Sequence, residues 1–279
     1  MAAIGTPRWE VTAELRAERW ARHGSQTIAT YTGPLTAPAV WWSAIFEVGG
    51  GAALDGSTAL CAEGLRGFTD VLHVSTPKSW HPRRPPGVIV HETRRRQPTD
   101  LVGTGIPRTR PPVAAVRAAL WARSDRQAAT LLAMTVQQRL TTAEAIAEAF
   151  QTVRRDRRRR LIMAVLADLS TGAQSIGELD FARLCREFGL PEPDRQTRRR
   201  GPDGTWYLDS DWTRYDAVVE IEGVHHLEAD QAMSDASRQN ELTIDHSRVL
   251  RIPVIGLRVA PDHYLSQVAR LLRSAGWPG

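Results

Sequence analysis

The stretch Ala217-Val218-Val219-Glu220-Ile221-Glu222-Gly223 decides how the C-terminal part of this chain is read. Its β-branched residues mark a strand, and strand side chains alternate in direction. Glu220 and Glu222 therefore share one face while Val219 and Ile221 occupy the other. Asp209 lies upstream, and the intervening Thr213 to Asp216 segment reads as a turn centred between Arg214 and Tyr215. An antiparallel hairpin with that centre brings Asp209 opposite Glu220, with Cβ atoms roughly 4.5 to 5.5 Å apart. Opposed carboxylates repel and raise one another's pKa, whereas a divalent cation removes both penalties. Asp209 and Glu220, with Glu222 further along the same face, are thus candidate oxygen ligands for Mg2+ or Mn2+. Such an ion polarises a phosphodiester and acidifies a bound water. The plainer alternative is a solvated edge hairpin whose acids pair with nearby arginines.

Neighbouring residues extend this candidate site. His225 and His226 follow the strand, and since adjacent side chains point apart, one of them, taken as His226, faces the acids as general acid, general base or phosphate donor. Glu178 has two readings: an acid directed at the metal face, or the closing residue of the capping box Ser175-Ile176-Gly177-Glu178. Arg198, Arg199 and Arg200 lead into the first strand of the hairpin. With Arg238 they are candidate phosphate contacts, although Asp235 and Arg238 also fit a surface pair one helical turn apart.

The whole chain bounds these readings. At 279 residues, with 42% hydrophobic and 24% charged residues, it has the composition of a globular protein with room for two domains. No apolar run approaches the roughly 18 to 20 residues of a membrane span, and the N-terminus shows no secretory pattern, so a cytoplasmic location and no membrane partner are expected. A formal charge of +5 favours a polyanion such as DNA. Lys78 is the single lysine, so arginine carries nearly all the basic charge. Cys61 and Cys185 are too few for a disulfide framework or cysteine zinc site and read as buried thiols.

Periodicity and breakers predict helices over 37–46, 57–64, 113–121, 126–134 and 142–150, with strands at 71–75 and 88–92. The run Arg154-Arg155-Asp156-Arg157-Arg158-Arg159-Arg160 reads as a solvated helix start or linker, or else as a DNA-phosphate contact, and a domain boundary is placed ahead of it. Beyond it the order is helix, helix, strand, strand, long polar helix (228–244), strand (249–255) and closing helix (261–275), an α/β plan.

Several of these motifs resemble the very-short-patch-repair-like endonuclease domain of the restriction-endonuclease-like superfamily. They are Ser175-Ile176-Gly177-Glu178-Leu179-Asp180-Phe181, Gly189-Leu190-Pro191-Glu192-Pro193, Tyr207-Leu208-Asp209, Val218-Val219-Glu220-Ile221-Glu222-Gly223 followed by His226, and Val249-Leu250-Arg251. The resemblance implies a mixed sheet flanked by helices, DNA as substrate and a divalent cation, with acidic ligands at Asp209 and Glu220 and an acidic helix residue at Glu178. Many relatives in the superfamily carry a lysine two residues after the second acid; here Glu222 stands there. Ser57 to Leu65, Leu72 to Pro77 and Gly87 to His91 are similar to the AbiEi-type antitoxin region of toxin-antitoxin systems.

The expected architecture is an N-terminal α+β domain and a C-terminal restriction-endonuclease-like sheet: a short segment at 1–36, read as a winged-helix remnant, an antitoxin-like domain at 37–153 and the nuclease-like domain at 154–279. The expected activity is metal-dependent DNA hydrolysis. The alternative is a non-catalytic DNA-binding antitoxin or regulator that keeps the fold, and a homodimer is the assembly considered.

Overall fold

The computed structural model describes residues 6–78, 80–94, 96–171, 181–200, 206–222 and 249–279. It is a mixed α/β protein with two compact units, 1–117 and 118–279.

The first unit opens with α1 (Arg8–Arg16) and a short antiparallel pair, β1 (Ala21–Arg22) with β2 (Ile28–Ala29). Helix α2 (Ala37–Val48) has a proline in its first turn and ends at Gly49, whose φ of 108° needs a residue without Cβ. Near its end the buried Glu47 accepts four hydrogen bonds, from the Ser25 amide (3.1 Å) and hydroxyl (2.9 Å), the Gln26 amide (2.7 Å) and the Thr27 hydroxyl (2.7 Å). Those bonds hold its pKa below the ordinary carboxylate value although burial pushes the other way. β3 (Ala53–Leu54), α3 (Gly56–Ala62), β4 (Leu72–Pro77) and β5 (Val88–Thr93) follow. β4 is central, antiparallel to β3 and parallel to β5. The alanine-rich α4 (Pro111–Trp121), whose last four residues belong to the second unit, buries Ala114 and Ala115.

In the second unit α5 (Asp125–Gln137) starts on a Ser124 hydroxyl that accepts from the Gln127 amide, and α6 (Ala143–Phe150) on a Thr142 hydroxyl that accepts from Ala145. Both pack on α7 (Arg159–Thr171). The compact division therefore falls well ahead of the arginine run where the sequence places a boundary. Arg158 shows why. It is 3% exposed, with Nε on Asp125 at 2.8 Å and Nη1 on the Leu120 carbonyl at 3.1 Å, and Arg159 stacks on the Phe150 ring. Part of the run is thus a packed anchor between helices.

After α8 (Phe181–Glu187) come β6 (Arg195–Arg200), β7 (Trp206–Trp212), β8 (Ala217–Glu222) and β9 (Val249–Pro253), in that order across one sheet. β6, β7 and β8 form an antiparallel meander, and β9 joins β8 in parallel. The sheet is mixed. Val219, Ile221, Leu250, Ile252 and Trp212 face the core, where the Trp212 indole donates to the Pro191 carbonyl at 2.9 Å and meets the Phe181 ring edge-on. Two differences from the sequence reading stand out. Arg195–Arg200 is an edge strand, not a lead-in segment, and the chain after Pro253 turns into α9 (Val254–Val259), not a strand continuing to Ile255. Pro253 lacks the N–H a ladder requires. The closing helix α10 (Pro261–Ser274) buries Leu265, Val268, Leu271 and Leu272. Among the described residues no helix is long and apolar enough to cross a membrane.

Candidate functional site

The β7–β8 hairpin closes through a 3-10 turn at Thr213–Tyr215 and Asp216, whose φ of 47° is left-handed. Asp194 secures it: its carboxylate accepts from the Thr213 amide at 2.8 Å and its own amide donates to the Asp211 carbonyl at 2.7 Å. With the turn so placed, Asp209 lies opposite Glu220, the register the sequence reading expects.

Cross-strand pairing extends that pair into a row spanning the sheet: Thr197 on β6, Asp209 on β7, Glu220 on β8 and Arg251 on β9. Rows alternate between faces. In β8 the alternation is strict, with Ala217, Val219 and Ile221 buried and Val218, Glu220 and Glu222 half-buried. The acids therefore occupy the sheet face opposite the apolar core. Asp209 Oδ1 is withdrawn from solvent. Arg251 donates from Nε to Glu220 Oε2 at 3.0 Å, with the glutamate side chain 17% exposed and the arginine 64%.

Glu222 belongs to the next row on that face, opposite Tyr207 and beside Pro253. Two residues along a strand is about 6.6 Å, so it does not share the row of the other two acids. Among the described residues no group of three or more His, Cys, Asp or Glu side chains is arranged to hold a metal ion. The three arginines of β6 are split by register: Arg199 pairs with Tyr207, in the row of Glu222, whereas Arg198 and Arg200 pair with Leu208 and Trp206, in rows of the other parity. Glu178, His226 and Arg238 lie outside the described residues.

Arg251 had no assigned role in the sequence reading. Its local signal is that Leu250 and Ile252 on either side are fully buried, so Arg251 must face the acids. Which acid it meets depends on a parallel register set by a long crossover, which local pattern does not carry.

Two networks outside the sheet were also missed, whereas the burial of Cys185 was expected. Asp55, 0% exposed, caps α3 through the Gly56 amide and accepts from the Thr109 hydroxyl at 2.9 Å and from Arg117 Nη1 at 2.6 Å, while Arg117 Nη2 reaches Asp100 at 3.1 Å. His73 Nδ1 and His91 Nε2 stand 2.9 Å apart in parallel-stacked rings, and Asp70 lies 3.7 Å beyond His73. Burial foremost, then the charges of His73, Arg117 and Arg84, pushes the His91 pKa down to about 4. Cys185 is a fully buried thiol pushed up to about 12 by burial, with Glu192 adding to the shift, and so is inert as a nucleophile.

No family model, curated protein or solved structure matches this chain.

Proposed function

We propose that residues 154–279 form a restriction-endonuclease-like DNA endonuclease domain that hydrolyses phosphodiester bonds with Mg2+ or Mn2+ held by Asp209 and Glu220. The observation that carries this reading is the row Asp209–Glu220–Arg251 on the polar face of a mixed sheet. Two opposed carboxylates, one with an oxygen withdrawn from solvent, supply the hard oxygen donors such a cation takes. When bound, the ion lowers the pKa of a water and offsets phosphate charge. The protein's own groups do the rest. Asp209 and Glu220 orient by strand register, so their spacing is fixed by backbone hydrogen bonds. Arg251 neutralises Glu220 in the free protein; on a DNA strand it serves as a phosphate donor at the same face, a duty its exposed guanidinium suits. His226 is the candidate proton carrier and Glu178 the candidate further acid, while Arg198, Arg199, Arg200 and Arg238 are candidate phosphate contacts.

The Arg251–Glu220 ion pair also favours a second reading, a non-catalytic DNA-binding antitoxin or regulator in which arginine permanently occupies the acidic row. Incubating the full chain with supercoiled plasmid and Mg2+ or Mn2+ separates the two. Nicking that chelator abolishes supports the nuclease; salt-sensitive DNA binding without nicking supports the regulator; neither activity rejects both.

A further inference from the structure

A cavity of about 570 Å3 opens in the first unit between α2, the loop after β1 and the proline segment ahead of β5. Its size falls in the range of small-molecule sites, roughly 300 to 1,000 Å3. Leu35, Val40, Ala44, Leu72 and Val88 give it an apolar floor, and three charged residues line it: Glu47, Arg83 and Arg84.

The three charges are not equivalent. Both Glu47 oxygens are engaged by the four neutral donors of the 25–27 loop, so it stays ionised but offers a ligand little acceptor capacity. Arg83 donates from Nε to the Glu47 carbonyl at 2.7 Å and from Nη2 to the Phe46 carbonyl at 2.8 Å. Carbonyls fix a guanidinium without cancelling its charge, and Nη1 keeps its donors for a ligand. Arg84 is held by the Val90 carbonyl at 3.1 Å and by a salt bridge to Glu92 at 2.6 Å that offsets part of its charge, and Glu92 does not line the cavity, so Arg83 is the stronger anchor for an acid. Two pre-positioned guanidinium groups over an apolar floor match one chemistry, an acid head on a compact apolar body.

We propose that this cavity binds a small amphipathic carboxylate, with Arg83 and Arg84 taking the acid group and the Leu35–Val40–Val88 surface the apolar body. The site is independent of the nuclease reading. Calorimetric titration of the full chain with naphthalene-2-acetate and with its neutral isostere naphthalene-2-acetamide tests it. We expect saturable acetate binding with Kd below about 1 mM and at least about tenfold weaker amide binding, the scale of one charge-assisted hydrogen bond. Val40→Trp and Leu35→Trp, which fill the cavity from different segments, abolish acetate binding with a retained cooperative melt in at least one of them. Arg84→Gln narrows the acetate-to-amide ratio. Absence of acetate binding, equal binding of acetate and amide, or unchanged binding in a folded tryptophan variant overturns the proposal.

Discussion

Asp55 shows how much of the first unit rests on single residues. Its carboxylate is sealed from water and joins a helix cap, the Thr109 hydroxyl and Arg117 in one network. Removing it leaves the largely buried Arg117 with Asp100 as its remaining ion-pair partner among the described residues, the situation in which breaking a buried ion pair costs roughly 3 to 5 kcal/mol. Asp55→Ala is expected to lower urea-unfolding stability by that amount, whereas breaking the exposed Arg183–Glu187 pair changes it by less than about 0.5 kcal/mol. Residues differ likewise in how far the sequence reveals them. Asp209 and Glu220 are legible because one short turn separates them and strand alternation fixes their face. Arg251 is not, because nothing local links it to Glu220. Asp55, between Leu54 and Gly56, reads as a loop residue until the fold brings Thr109 and Arg117 to it.

At the scale of elements, legibility followed apolar periodicity. Helices α2, α4, α5, α6 and α10 and strands β4, β5 and β8 carry it and lie close to where the pattern predicts them. β6, with the sequence Arg-Gln-Thr-Arg-Arg-Arg, has none; it is a strand because β7 presents an open edge, a tertiary cause that no local window contains. α9 is legible only in hindsight: Val254-Ile255 continues an apolar run that suits a strand, and packing on α5, α7 and α10 selects the helix. Gly256 is where that packing is tightest. A Cβ added there would lie 2.4 Å from Cε2 of the buried Tyr264, so that ring or helix α9 must move. Gly256→Ala is expected to destabilise the second unit by about 1 to 3 kcal/mol despite alanine's better helix propensity. A stability equal to or above wild type in chemical denaturation would contradict the close contact.

For the molecule as a whole, pH acts on the first unit through the stacked His73–His91 pair. His91 titrates near 4 in the folded protein against an ordinary value of 6.5, so the imidazole is neutral when folded and the unfolded chain binds its proton first. Stability from this group is complete above about pH 6.5 and is lost as pH falls toward about 4. Urea midpoints of wild type at about pH 7.5 and about pH 5 should therefore separate more than those of His91→Asn; equal separations would contradict the burial. The second unit supplies the candidate chemistry, and there the whole mixed sheet matters: a meander brings Thr197, Asp209 and Glu220 into one row, and a parallel strand adds Arg251. The nuclease reading makes Asp209 indispensable. The most direct measurement is the plasmid-nicking rate of Asp209→Asn beside wild type in Mn2+, with melting temperatures matched. We predict a loss of at least about a hundredfold, the scale of removing one preorganised electrostatic group; nicking by Asp209→Asn at the wild-type rate would contradict the account.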